Sequence, residues 1–231
     1  MSPIRRIFGH ICELIFPPRC VICKAAVKPR DALCPHCLRL FSDECHEAEH
    51  GAADPSEPDI YLTYYRGWDP SSPRITERLI YTFKHRRVRS LTDFFARDLS
   101  SRIMQYLTVR CTSPENCVIT YPPRSERGFR QYGFDQAYDL SRRISHYTGI
   151  SHVRALARHG GVEQKALGAA QRADNTQNSL YTTGADVRGR HVIIIDDVTT
   201  SGSTLGYASE LLTASGAADT LTAVIARTKK A

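Results

Sequence analysis

From residue 59 onward the apolar positions alternate between two periods. Short β-branched and aromatic runs read as strands: IYLTYY (60–65), CVITY (117–121), the weak VRAL (153–156), VIII (192–195) and TLTAVIA (220–226). Between them, apolar residues recur at helical spacing. Ile75, Leu79, Ile80 and Phe83 form one face, 91–107 forms a second helix, and Phe134, Ala137, Tyr138 and Ile144 define a third face running to Tyr147. A last helix is predicted over 204–214. Strands that alternate with helices predict a mainly parallel, twisted α/β sheet with helices on both faces. VIII lacks polar alternation, as a central strand buried on both faces should. The stretch 160–180 is polar and contains Gln164, Lys165, Arg172 and Asn175.

Ahead of this domain the pattern changes. DECHEAEHGAADPSEPD (43–59) is acidic, holds two prolines and has no apolar period, so it reads as a linker. The apolar positions of MSPIRRIFGHICELIF (1–16) are broken by Gly9, His10 and Glu13. That stretch reads as an amphipathic helix packed on the body rather than a signal peptide. No stretch approaches the roughly 20 apolar residues of a membrane span, and the chain is read as cytoplasmic. Four of the eight cysteines fall as Cys20-Val-Ile-Cys23 and Cys34-Pro-His-Cys37. Two residues between cysteines let a tight turn aim both sulfurs at one point, and two such turns make the tetrahedral thiolate set that zinc prefers. Four protein ligands leave no open position, so the zinc is structural. The expected layout is an N-terminal helix and zinc module over 1–45, a linker over 46–58 and the main domain over 59–231.

Composition adds a net charge of +7, which favours anionic partners. The chemistry concentrates in VIIIDDVTTSGST (192–204). Beyond the strand come Asp196 and Asp197, at the sheet end where open α/β folds place ligands. The small residues Thr199, Thr200, Ser201, Gly202, Ser203 and Thr204 let backbone N–H groups and hydroxyls converge on one anion at a helix N-terminus. Carboxylates repel a phosphate, so the aspartates must meet another part of the ligand. The vicinal hydroxyls of a ribose carrying a 5′-phosphate satisfy both demands. No lysine follows the glycine, so this is not a Walker loop. The run Lys84, His85, Arg86, Arg87 and Arg89 reads as a solvated helix end.

The stretch 192–204 resembles the 5-phosphoribosyl-1-diphosphate (PRPP) signature of type I phosphoribosyltransferases. The wider chain resembles the ComF family within that superfamily, through the paired CxxC, RQYGFDQA (130–137), the Gln164/Leu167/Arg172/Asn175 array and DDVTTSGSTL (196–205). It departs from the family at Tyr132, where arginine is more frequent, and at Ser201, where threonine is usual. The resemblance implies a type I phosphoribosyltransferase-like fold behind the four-cysteine module. It assigns ribose hydroxyls to Asp196 and Asp197, the 5′-phosphate to 199–204, and the diphosphate to the turn 122–125 with Arg124. It places a mobile lid over 160–178, from which Lys165 or Arg172 would close on the diphosphate, and it brings magnesium with PRPP. The implied activity is phosphoribosyl transfer to an unknown acceptor. The alternative is a non-catalytic accessory of DNA uptake and competence that binds single-stranded DNA through 84–89 and 124–130, works with competence-machinery proteins and retains the pocket. The chain begins Met1-Ser2, without the cysteine nucleophile of a glutaminase, so amide-nitrogen transfer is not expected.

Overall fold

A computed structural model describes residues 17–49, 58–67, 69–71, 74–159 and 179–228. The described strands are β1 (Ile60–Tyr65), β2 (Cys117–Thr120), β3 (Ser151–His152), β4 (Leu156–Arg158), β5 (Leu180–Thr182), β6 (His191–Thr199) and β7 (Asp219–Thr228). The helices are α1 (Pro35–Glu49), α2 (Ile75–His85), α3 (Arg89–Val109), α4 (Glu126–Tyr132), α5 (Gln136–Thr148) and α6 (Ser203–Ala214). Five strands form a wholly parallel sheet in the order β1-β7-β6-β2-β3, and β4 and β5 make a separate antiparallel pair.

Strand alternation assigns the two faces of the sheet. Ile193 and Ile195 share a buried cluster with Leu79 of α2, Phe95 and Ile103 of α3, and Leu140 and Ile144 of α5. Val192 and Ile194 point the other way and pack with Leu205, Ala208 and Leu212 of α6. Helices therefore cover both sides of β6, and its carboxyl end is where polar groups can emerge.

Four expectations change. First, β6 does not stop at Ile195, because its ladder with β7 continues through Asp196↔Val224, Val198↔Ala226 and Thr199↔Arg227. Asp196, Asp197 and Thr199 are strand residues. Second, a short helix that was not expected, α4, precedes the one expected from Phe134, which starts at Gln136 as α5. Gly133 takes φ +73°, a left-handed conformation suited to glycine, and Asp135 then caps α5 by accepting from the Tyr138 N–H at 3.1 Å. Third, the single strand over 153–156 is replaced by β3 before it and β4 from Leu156. Between them the Ala155 N–H donates to Thr120 Oγ1 at 3.2 Å, which draws the chain off the sheet edge.

Fourth, α1 runs through 46–49, where the linker was expected to begin. Residues 50–57 and the amphipathic stretch 1–16 lie outside the described residues. The helix is held on the main sheet from both sides. Phe41 packs its ring 5.4 Å from Phe94 and 6.0 Å from Phe95. The buried cluster then runs without a break from Cys20, Cys34 and Cys37 through Phe41 to Leu62.

Glu44, read as part of the acidic linker, ties the two parts together. Its Oε1 accepts from the Ile75 N–H at 2.9 Å and its Oε2 from the Thr76 N–H at 3.0 Å. Those donors open α2, whose own N-cap residue, Arg74, supplies no side-chain cap. Glu44→Ala would strand two N–H groups and is expected to cost about 1–3 kcal/mol, read as a fall of ~2–4 °C in Tm per kcal/mol. Glu44→Gln keeps an acceptor and should lose less. Melting curves that superimpose on the parent for both variants would remove this tie from the account.

Candidate phosphoribosyl site

The end of β6 turns two adjacent carboxylates toward different partners. Asp197 is 6% exposed and accepts from Gln136 Nε2 at 2.9 Å. The Val198 N–H donates to its other oxygen at 2.7 Å. Asp196 is only partly covered and accepts from the Asp197 N–H at 2.8 Å. Gln136 begins α5 and belongs to the RQYGFDQA motif, so the fold closes that motif onto the signature. Burial holds the Asp196 carboxyl well above its ordinary pKa, and the charge of Asp197 pushes the same way. The Asp197 N–H and the Lys84 cation oppose the shift.

Beyond Thr199 the chain opens. Thr200 and Ser201 are exposed, and Gly202 takes φ +77° as the N-cap of α6, with no side chain capping the helix. Its first turn carries no acidic residue. Ser201 Oγ lies 2.5 Å from Ser203 Oγ, and Ser203 N donates weakly to Ser201 Oγ at 3.4 Å. Small hydroxylated side chains, an uncapped helix start and the positive end of the helix dipole suit an anion here. Thr204 lies in the first turn of the helix, partly covered. The arrangement can receive a phosphate at the loop and hydroxyl donors at the carboxylates.

Arg124 is built inward. Its N–H donates to Asp135 Oδ2 at 2.8 Å, Nη1 to the Phe134 carbonyl at 3.2 Å and Nη2 to the Lys84 carbonyl at 3.5 Å. The guanidinium stacks 4.3 Å from the Tyr132 ring centre, so Tyr132 serves as a platform for Arg124. Gly128 makes room for it, since a Cβ there would stand 2.9 Å from Arg124 Nε. Lys165, Arg172 and the whole stretch 160–178 lie outside the described residues.

Sequence reasoning missed two groups at this site. Lys84 lies in the last turn of α2 and its charge reaches Asp196. Arg158 ends β4, half-buried, with Asp196 and Asp135 both favouring its charge against the burial that lowers its pKa. The charged run at 84–89 held the signal for Lys84. No local pattern marked Arg158. Arg87, from the same run, is bound at 2.7 and 2.8 Å by both oxygens of Asp139.

At the amino-terminal module the four expected thiols meet. The Sγ atoms of Cys20, Cys23, Cys34 and Cys37 lie within 4.8 Å of one another, with Cys23 and Cys34 3.5 Å apart. A tetrahedron with Zn–S bonds of about 2.3 Å has edges of ~3.8 Å, so the donor set fits zinc. Lys24 at φ +66° closes the first turn, and Pro35 starts α1 directly after Cys34. Burial raises the Cys20 thiol, but the N–H groups of Cys23, Cys34 and Ile22 outweigh it and bring the group to about 6. The Cys37 N–H is the main influence lowering Cys34. N–H groups aimed at sulfur favour thiolates, the form a metal takes. A nearby apolar cleft of about 880 Å³, lined in part by Leu33, Phe41 and Phe94, contains none of the phosphoribosyl-site groups.

Comparison with known proteins agrees with this geometry. Residues 132–231 match the family model of the phosphoribosyl transferase domain, which spans α5, the signature and β7. Over 206 residues, 86% of each chain, the protein is 27% identical to the DNA utilization protein YhgH of Salmonella typhimurium. Over 90 residues, 36% of this chain and 39% of the other, it is 34% identical to competence protein F of Haemophilus influenzae. Among solved structures, an allosteric regulatory enzyme of purine biosynthesis matches 63% of this chain and 30% of its own, at 16% identity and a TM-score of 0.42. Fold and signature thus define a type I phosphoribosyltransferase-like protein with a four-cysteine module. Within that class, the relatives named for DNA utilization and competence support the resemblance to the ComF family. Among the described residues, no helix is long and apolar enough to cross a membrane.

The raised pKa of Asp196 has a measurable cost. A carboxyl whose folded pKa lies above its unfolded value contributes stability at acid pH and loses it as pH rises through the folded value. Asp196→Asn keeps an acceptor for the Asp197 N–H and removes the charge. Its melting temperature should exceed the parent's at pH 8, by ~2–4 °C for each kcal/mol relieved, and the gap should close toward about pH 4. A variant less stable than the parent at pH 8, or an offset independent of pH, would contradict this account of the carboxylate pair.

Proposed function

We propose that the end of β6 binds PRPP and that the protein transfers its phosphoribosyl group to an acceptor. The observation that carries this is the juxtaposition of an uncapped, hydroxyl-rich helix start with two carboxylates held by the same strand. In this reading the loop 199–204 takes the 5′-phosphate, and Asp196 and Asp197 take the ribose hydroxyls. Gln136 and the Val198 N–H each donate to one oxygen of Asp197, which sets its orientation and leaves the remaining lone pairs for a hydroxyl. The bond from the anomeric carbon to the diphosphate oxygen breaks and its electron pair leaves with the diphosphate. A bond from the acceptor forms on the opposite face, and the acceptor gives up its proton. Positive charge develops on the sugar beside two carboxylates, which stabilise it without forming a covalent bond. Magnesium suits the donor's phosphate oxygens and would offset the charge of the departing diphosphate.

A second reading, nucleic-acid binding, is favoured by one observation. A polar cleft of about 330 Å³ is lined by Arg87, Arg89, Asp139, Arg142, Arg143 and His146. Asp139 and Asp93 engage Arg87 and Arg143. Arg89 and Arg142 are exposed and make no ion pair among the described residues. Two uncompensated guanidinium groups suit a phosphate backbone, and two relatives carry names that refer to DNA use and competence.

Calorimetric titration with PRPP and Mg²⁺, then with an oligothymidylate, tests both. PRPP should bind the parent, and Asp196→Asn combined with Asp197→Asn should abolish that binding while the fold is kept. A parent that takes the oligonucleotide but gives no heat with PRPP would transfer the case to the second reading. In the first module we assign a structural zinc to the four thiols. Metal analysis of reduced protein should find about one zinc per chain, with an all-sulfur shell by X-ray absorption. Metal-free protein whose four thiols react at once with a disulfide reagent would refute the assignment.

A further inference from the structure

We propose that Arg158 and Asp135 clamp the peptide bond between Pro123 and Arg124, one at each end, and that this clamp holds the turn over 122–125 in the shape the donor requires. Both are positioning residues that act through the turn. This rests on the PRPP reading above and adds to it a main-chain device outside the signature.

Two hydrogen bonds meet on one peptide unit. Its carbonyl, that of Pro123, accepts from Arg158 Nε at 3.0 Å, and its N–H, that of Arg124, donates to Asp135 Oδ2 at 2.8 Å. Charge matches at both ends, a cation on the carbonyl and a carboxylate on the N–H, which makes each bond about twice as strong as a neutral one. A half-turn of the peptide plane would set the carbonyl against Asp135 and the N–H against Arg158, so one orientation is enforced. The chain needs outside partners here. β2 ends at Thr120, and Pro122 and Pro123 carry no N–H, which makes Arg124 the first main-chain donor after Tyr121. Thr120 pairs with Ile194, so the turn leaves the sheet beside 195–197, where the two aspartates lie.

Each half of the clamp is itself held. The Val153 N–H donates to the Ile119 carbonyl at 2.9 Å and the Ala155 N–H to Thr120 Oγ1 at 3.2 Å, which lays 153–158 beside the end of β2. Arg158 Nη1 then donates to Ser179 Oγ at 2.8 Å. On the other side, Asp135 Oδ1 accepts from the Tyr138 N–H at 3.1 Å and caps α5. A cap needs one acceptor oxygen, and it is the second carboxylate oxygen that reaches the turn. Burial raises the Asp135 pKa, and the N–H groups of Arg124, Tyr138 and Ala137 oppose it. Burial lowers the Arg158 pKa, and the charges of Asp196 and Asp135 oppose it. The next residue, Gln136, donates to Asp197 Oδ2 at 2.9 Å, so the start of α5 joins the turn to a carboxylate assigned to the ribose. In the PRPP reading the turn flanks the diphosphate. A turn already fixed in one shape spares the ligand the cost of ordering it.

The test titrates the full chain calorimetrically with PRPP and Mg²⁺ and, separately, with ribose 5-phosphate. Asp135→Ser keeps a cap for α5 but loses the second acceptor oxygen, and Arg158→Met removes the donor at the other end. Each should weaken PRPP about threefold to tenfold. Ribose 5-phosphate, which does not reach the turn, should stay within about twofold. Arg158→Lys should restore part of the loss. The Asp135 variant is decisive in sign, because it deletes a negative charge near an anionic ligand and electrostatics alone would tighten PRPP. Unchanged or tighter PRPP binding in that variant overturns the proposal. The double variant should bind PRPP no more than about twofold worse than the weaker single, since either change frees the same peptide. Losses that multiply would mean two independent roles and overturn it, as would a parallel loss of ribose 5-phosphate. Amide exchange followed by NMR on the ligand-free chain reads the clamp directly. The Arg124 N–H should exchange at least about tenfold faster in both single variants than in the parent. Equal exchange in parent and variants overturns the proposal whatever the ligand does. A parent that binds neither ligand removes the PRPP reading, and the exchange comparison then still decides the clamp.

Discussion

The ladder between β6 and β7 is the constraint on which the rest of the site depends. Eight paired positions carry β6 from His191 to Thr199, past the point where its apolar run ends. Without that extension Asp196 and Asp197 would belong to a loop and could turn toward solvent separately. Pairing instead fixes two adjacent carboxylates on opposite faces of one strand, so each meets a different neighbour. Asp197 is drawn down to Gln136 and the α5 side, whereas Asp196 stays at the mouth within reach of Lys84 and Arg158. The phosphate loop inherits its position from the same ladder, because Gly202 starts α6 only three residues beyond the last paired residue.

Holding β6 there requires both faces of the sheet to be filled, and the amino-terminal module contributes to one of them. Phe41 enters the aromatic group of α3, and Glu44 closes the start of α2. The cysteine cluster lies in the same buried region, so a metal bound there would stiffen the helix that caps α2. Since Lys84 lies in the last turn of α2, a mechanical connection runs from the thiols through α1 and Glu44 to a cation whose charge reaches Asp196. Its links are the buried cluster from the thiols to Phe41, the two hydrogen bonds from the start of α2 to Glu44, and α2 itself.

How much of this was legible follows from where the signals are local. The PRPP signature and the paired CxxC are contiguous, and their chemistry dictates composition at fixed spacing, so both could be read directly. The alternation of strands and helices was likewise visible, because each buried face leaves its own period in the chain. The length of β6 was not. Carboxylates look like a strand end, and only the partner strand shows that pairing continues. Glu44 was hidden for a related reason, since an acid in an acidic stretch looks like linker until its partners thirty residues away are known. Arg158 follows two apolar residues in a three-residue strand and becomes informative only when Pro123, Ser179 and Asp196 surround it.

The same distinction applies to Arg124, whose local packing only the fold displays. Arg124 follows a Pro-Pro turn at a sheet end, where a guanidinium is well placed to grip phosphate, and in sequence nothing separates that role from packing. Three neighbours define its packing. Gly128 offers a surface without a side chain, Tyr132 an aromatic face, and Phe134 a carbonyl. The half-buried guanidinium packs on these neighbours and donates from Nη1 and Nη2 to the Phe134 and Lys84 carbonyls. Tyr132 therefore changes the site in a specific way: where an arginine would add a cation beside Arg124 and repel it, the tyrosine holds Arg124 in place. On other elements, the charge of Lys84 acts on Asp196, and Arg158 feels the charge of Asp196.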